Sequence, residues 1–215
     1  FRPWPARRIC RARMTTSDQA ALWTPAGWRR DDTIIERIVP GVANLHSHPF
    51  QRAMAGIAER QSDGEDSFWT WRETMYRFAG RFTPESLHAV ASQLYVEMLE
   101  AGYTTVCEFH YLHHPLGGGT YADPAEMSGR IVAAASETGL GLTHLPVIYE
   151  QGGVDGRALA GGQLRFGSTP ETYARLLDGA AKALAALPDA TLGVAPHSLR
   201  AVSRATLAQV AGMVP

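Results

Sequence analysis

Apolar and polar positions along this chain change period repeatedly, from the alternation of strands to the three-to-four spacing of helices. Residues 20–23 have weak strand character. Residues 38–45 form an apolar, β-branched run that predicts a buried strand broken at Pro40 and Gly41. Over 65–82, Trp69, Trp71, Tyr76 and Phe78 stand close to helical spacing among charged residues. Thr83 followed by Pro84 and Glu85 is a helix start, with threonine as the N-cap and proline at the first helical position. The helix predicted over 84–101 carries Leu87, Val90, Leu94, Val96 and Leu99 as its apolar stripe, and Gly102 ends it. A strand is predicted at 103–111, a helix from Asp123 and Pro124 to 138, and a strand at 140–149. A glycine-rich loop over 151–166 leads to a helix that opens at Thr169–Pro170 and ends near 187–188. A strand at 190–195 and a helix at 203–213 complete the series.

Strands alternating with helices imply parallel βα units, joined by crossovers long enough to be right-handed. Four such units make half of an eightfold barrel, or a small open sheet. A complete (β/α)8 barrel takes about 250 residues. The expected fold class is therefore α/β; if the units belong to a (β/α)8 TIM barrel, it is truncated to about the first four βα units.

Composition and charge narrow the classes. A hydrophobic fraction of 45% and a charged fraction of 19% suit an ordinary globular chain. Twenty basic against 21 acidic residues lack the surplus of a dedicated nucleic-acid binder. No apolar run approaches the roughly 18 residues of a membrane span. Cys10 and Cys107 are too few for a disulfide framework and point to a reducing, cytoplasmic compartment. The first 13 residues hold five arginines and no acid, leaving 15 basic against 21 acidic residues in the remainder. No apolar stretch of a secretory signal follows these arginines. Met14 reads as a natural start, and residues 1–13 are expected to lie outside the fold.

The strongest chemical signal is His46-Ser47-His48 at the end of the first barrel strand. Strand side chains alternate between faces, so the two imidazoles point the same way and can share a divalent metal. Glu108 and His110 also share one strand face and are candidates to extend such a site. On spacing alone, Tyr111 reads as a core ring with a satisfied hydroxyl and His144 as a core histidine. Glycines 117–119 and 152–153 lack the lysine and following helix of a phosphate loop.

The segment from Pro40-Gly41 to His46-Ser47-His48 resembles the first strand of the amidohydrolase superfamily. Four ordered blocks carry the resemblance further: HPFQRAMAG from His48, FWTWRETMY from Phe68, EFHYLHH from Glu108 and APHSLRAV from Ala195. Together they resemble the formimidoylglutamate deiminase family. The resemblance implies a mononuclear zinc enzyme of histidine breakdown. Such an enzyme converts N-formimino-L-glutamate to N-formyl-L-glutamate and ammonia. It implies that His46 and His48 are metal ligands and that Gln51 lies beside the formimino group. It implies further that Arg72, Tyr111, His197 and Arg200 line the substrate pocket, the arginines and the tyrosine holding the carboxylates. Arginine suits that task because its guanidinium makes two parallel charge-assisted bonds to a carboxylate.

The family's remaining catalytic groups are a third metal-binding His with a nearby Glu, another His and a late Asp, all on later strands. None of them can be placed in this chain, so His46 and His48 form half a metal site. The expected organisation is a head at 1–13, a partial β-sandwich segment at 14–36 and the N-terminal half of the hydrolase barrel at 37–215. The chain alone is expected to bind zinc weakly and to turn over little substrate, and the family implies a homodimer. Two other readings stand beside this one. A metal-dependent deaminase of a purine or other heterocycle would share the His pair without needing two arginines. A degenerate half-barrel would serve only as a folding or interaction module.

Overall fold

A computed structural model describes residues 9–10, 21–24, 27–30, 39–58 and 68–213. The head at 1–13 apart from Ile9–Cys10, the segment at 14–36 apart from two strands, and Met14 lie outside the described residues. β1 (Ile9–Cys10) pairs antiparallel with β4 (Val39–Pro40). β2 (Ala21–Thr24) pairs antiparallel with β3 (Gly27–Arg30).

The body is a parallel sheet with helices packed on it, the arc of a βα barrel. In chain order it contains β5 (Val42–Ser47), the 3-10 helix Pro49–Met54, α1 (Phe68–Ala79), α2 (Pro84–Glu100) and β6 (Tyr103–His110). α3 (Glu126–Thr138), β7 (Gly141–Ile148), the 3-10 helix Gly161–Arg165 and α4 (Pro170–Leu184) follow. β8 (Thr191–Leu192), β9 (Ala195–Pro196) and α5 (Arg204–Ala211) close the series. The strand order is β5-β6-β7-β8, with β9 also pairing β7, and every pair in this sheet is parallel. The strand predicted at 190–195 is thus two short pieces interrupted at Gly193 and Val194.

Local chemistry sets the helix starts. Thr83 Oγ1 accepts from the Ser86 backbone N–H at 3.2 Å while Ser86 Oγ accepts from the Thr83 N–H at 2.8 Å. Thr169 and Thr172 repeat this reciprocal cap at α4. Each such cap stabilises its helix by about 1 kcal/mol. α3 begins two residues later than Asp123–Pro124 suggests, because Asp123 Oδ1 accepts from the Ala125 N–H at 2.8 Å and forms a turn first. Gly139 ends α3 with φ +79°, a left-handed conformation that glycine adopts without strain.

Two expectations need correction. The run at 38–45 is not a buried strand. β5 lies at the edge of the sheet, and Val42 and Leu45 are 58% and 74% exposed. The face of α2 that reaches the core is Leu87, Ala91, Tyr95 and Met98, while Val96 is exposed. Steps of four and three from Leu87 follow the helical period through a small residue and a tyrosine. The predicted stripe followed the bulkier aliphatics and missed that line.

Candidate active site at the strand ends

β5 delivers His46 and His48 side by side, with ring centroids 4.5 Å apart and planes nearly perpendicular. Phe109 of β6 lies 5.4 and 5.3 Å from the two rings. The Phe109 carbonyl accepts a hydrogen bond from His48 Nδ1 at 2.9 Å. A carbonyl only accepts, so Nδ1 carries the proton and Nε2 keeps its lone pair, the arrangement metal-binding histidines use. Burial lowers the His48 pKa to about 4, the Phe109 bond opposing and His46 adding to the effect. The ring is neutral at neutral pH, the form that binds metal. The pair therefore fits two corners of a divalent cation such as zinc. Among the described residues, no group of three or more His, Cys, Asp or Glu is placed to hold a metal.

Glu108 and His110 do not extend this pair. They stand on the opposite face of β6, where Tyr95 Oη of α2 donates to Glu108 Oε2 at 3.3 Å. Full burial pushes the Glu108 carboxyl well above the usual carboxylate range, with hydrogen bonds from Ser47 and Tyr95 opposing the shift. The His110 ring lies 5.1 Å from His113 and 5.4 Å from His144, all three buried in the same layer. Burial is the main force lowering the His113 and His144 pKa values, each to about 3.

Gln51 sits on the 3-10 helix that leaves β5, and its Nε2 donates to Tyr111 Oη at 2.7 Å. The Tyr111 ring is 4% exposed and packs edge-on against His48, Phe50 and His197 at 5.2, 5.1 and 5.4 Å. Burial raises the Tyr111 pKa, so the phenol stays protonated. It is at once the satisfied core ring its spacing predicts and a wall of the site.

His197 follows β9, anchored by its N–H to the Ile148 carbonyl at 3.1 Å. Its ring lies 4.5 Å from Tyr149. Burial lowers its pKa to about 4, with further lowering from Arg200, His48 and Arg72. Arg72 reaches in from α1, its Nε and Nη2 donating to Tyr76 Oη at 3.0 and 2.7 Å. Arg200 has a buried Nη1 with no hydrogen-bond partner.

His46, His48, Gln51, Tyr111 and His197 thus gather around one set of aromatic rings, and the two arginines act electrostatically on His197. Phe109 is the central residue the sequence analysis missed. Its place near the end of β6, two residues before Tyr111, was the available signal. Phe166 and Tyr149 arrive from loops and strand ends that no local pattern connects to the His pair.

The model of the amidohydrolase family matches residues 37–213. The chain is 53% identical over 173 residues to formimidoylglutamate deiminase of Pseudomonas aeruginosa, an overlap of 80% of this chain and 38% of that protein. The crystal structure of an amidohydrolase from Brucella melitensis superposes with a TM-score of 0.84 at 47% identity, covering 91% of this chain and 49% of that one. Atrazine chlorohydrolase from Arthrobacter aurescens, a complex with zinc, shares the fold with a TM-score of 0.64 at 20% identity, over 81% of this chain and 38% of that one. The chain therefore spans less than half the length of each of these three proteins. With its strand-end histidines on a parallel βα arc and the family model covering most of its length, this chain belongs to the amidohydrolase family.

Proposed function

We propose that this chain forms part of a zinc-dependent deiminase that hydrolyses N-formimino-L-glutamate to N-formyl-L-glutamate and ammonia. On this reading residues 37–215 are the N-terminal half of the barrel and 14–36 belong to a small β-sandwich, in a cytoplasmic homodimer. The likeness to the Pseudomonas aeruginosa deiminase supports it. The observation that carries it is the buried, unpaired Nη1 of Arg200, a cation that together with Arg72 acts electrostatically on His197. A buried guanidinium nitrogen without an acceptor is costly, and a substrate carboxylate would satisfy it. A substrate with two carboxylates uses both cations.

His46 and His48 would hold part of the metal's coordination shell, and a metal bound there would acidify a water for the hydrolysis. The chain's own residues do the rest of the binding. Arg200 and Arg72 take one carboxylate each. Gln51 donates from Nε2 to Tyr111, which leaves Oε1 as an acceptor for the N–H groups of the cationic amidine. Neutral His197, its ring against Tyr111 and Tyr149, adds no third positive charge. Phe109 lies against both rings of the His pair and Tyr111 against His48. One water enters, the carbon–nitrogen bond to the terminal amidine nitrogen breaks, and that nitrogen leaves as ammonia.

Calorimetry of the zinc-supplemented chain with N-formyl-L-glutamate, set against a purine, tests the reading. Binding of the dicarboxylate that weakens roughly ten-fold or more in both Arg72→Met and Arg200→Met supports it. Preference for the purine, or indifference to both substitutions, refutes it.

A further inference from the structure

Among the described residues Arg165 is the largest fully buried side chain, 2% exposed; three of its hydrogen bonds run to backbone carbonyls, and the Tyr121 side chain is a further partner. Nε donates to the His114 carbonyl at 2.7 Å, Nη2 to the Phe82 carbonyl at 2.9 Å, and Nη1 to the Ala79 carbonyl. Among the described residues no carboxylate pairs with it. Ala79 is the last residue of α1, so the cation sits at the negative end of that helix. The Arg165 carbonyl in turn accepts the backbone N–H groups of both His113 and His114 at 3.0 Å. One residue therefore ties the end of α1 to the segment that follows β6.

Its neighbours press on the same helix. A Cβ on Gly162 would lie 2.6 Å from Tyr76 Cδ1, so the missing side chain is what lets the Tyr76 ring rest on this turn. Phe166, 1% exposed, stacks on Tyr76 at 5.9 Å and meets Tyr111 edge-on at 4.9 Å. Tyr76 is the residue that holds Arg72. A buried guanidinium is expensive unless its donors are used, and here Nη1 is spent on the last carbonyl of α1, Nη2 on Phe82 just beyond it and Nε on His114 after β6.

We propose that Arg165 is a positioning residue: with Gly162 and Phe166 it seats α1, and through Tyr76 it fixes the Arg72 guanidinium over the site. The role of Arg72 as a carboxylate holder rests on the functional reading above; the seating of α1 does not.

Amide hydrogen exchange and binding of N-formyl-L-glutamate, measured on Arg165→Met, Arg165→Lys and Gly162→Ala, test it. Arg165→Met should speed exchange roughly ten-fold in α1 and at 113–114 while α3 and α4 stay protected. It should weaken ligand binding by a similar factor, and Arg165→Lys should recover part of both. Gly162→Ala keeps the guanidinium but displaces Tyr76; it should weaken binding without speeding exchange at 113–114. Unchanged exchange in α1, or equal acceleration in α1, α3 and α4, overturns the proposal. Should Arg165→Met fail to fold, the lysine and alanine variants decide it. Should the parent chain bind no N-formyl-L-glutamate, the functional reading fails, and the exchange pattern alone judges the seat.

Discussion

His48 donates from Nδ1 to the Phe109 carbonyl across the β5–β6 pair at 2.9 Å, which leaves Nε2 as the nitrogen with the lone pair, and the His46 ring lies 4.5 Å away. The acceptor is backbone, so the orientation is a property of the sheet itself. His48→Ala and His46→Ala should each reduce zinc affinity roughly ten-fold or more, read by equilibrium dialysis. Equal zinc retention in both variants would remove the pair from the metal site.

The Gln51–Tyr111 bond joins the first strand end to the second. Tyr111→Phe leaves the packed ring in place and strands the Gln51 amide. The expected loss is about 1 kcal/mol in denaturant unfolding, with weaker binding of N-formyl-L-glutamate. The double variant Tyr111→Phe with Gln51→Leu should regain stability but not binding.

Acid should destabilise the fold through its buried histidines. His113 and His144 have folded pKa values near 3 against 6.5 when unfolded. As pH falls below about 6.5, the unfolded chain takes up these protons first, so stability drops, and the loss is complete only below the folded values. Each ring contributes a slope of about 1.4 kcal/mol per pH unit. His144 is 0% exposed and both its ring nitrogens lack partners. His144→Leu should therefore be no less stable at pH 7 and should flatten the acid limb of a pH series of urea melts. A steeper acid limb would contradict this.

Gly41 precedes the His-bearing strand where β5 passes β6. A Cβ there would lie 1.9 Å from Thr104 Oγ1 and 2.6 Å from Thr104 Cβ. Gly41→Ala should cost about 1–3 kcal/mol as the strands part. Adding Thr104→Ala should not restore the loss, because the Cβ of residue 104 itself is in the way. Thermal unfolding of the single and double variants checks both statements.

Local signals in the sequence were enough for the element order and the parallel βα class. Thr83–Pro84 and Thr169–Pro170 cap helices through contacts three residues long, and Gly139 ends one through its own φ. Such devices act within a turn, so they survive without knowledge of the fold. The strand alternation that puts His46 and His48 together is equally local. Tertiary structure decided what faces what. Val42 and Leu45 read as core, yet β5 is an edge strand and they are exposed. Glu108 and His110 looked like further ligands beside the pair, yet the pleat turns them into the helix layer against Tyr95. Phe109 at the centre of the rings, Phe166 beneath Tyr76 and Arg165 beneath α1 are set by contacts between segments far apart in the chain. Periodicity tells which side of an element a residue occupies. Only packing tells what lies on that side, because burial and hydrogen-bond partners come from the neighbouring element.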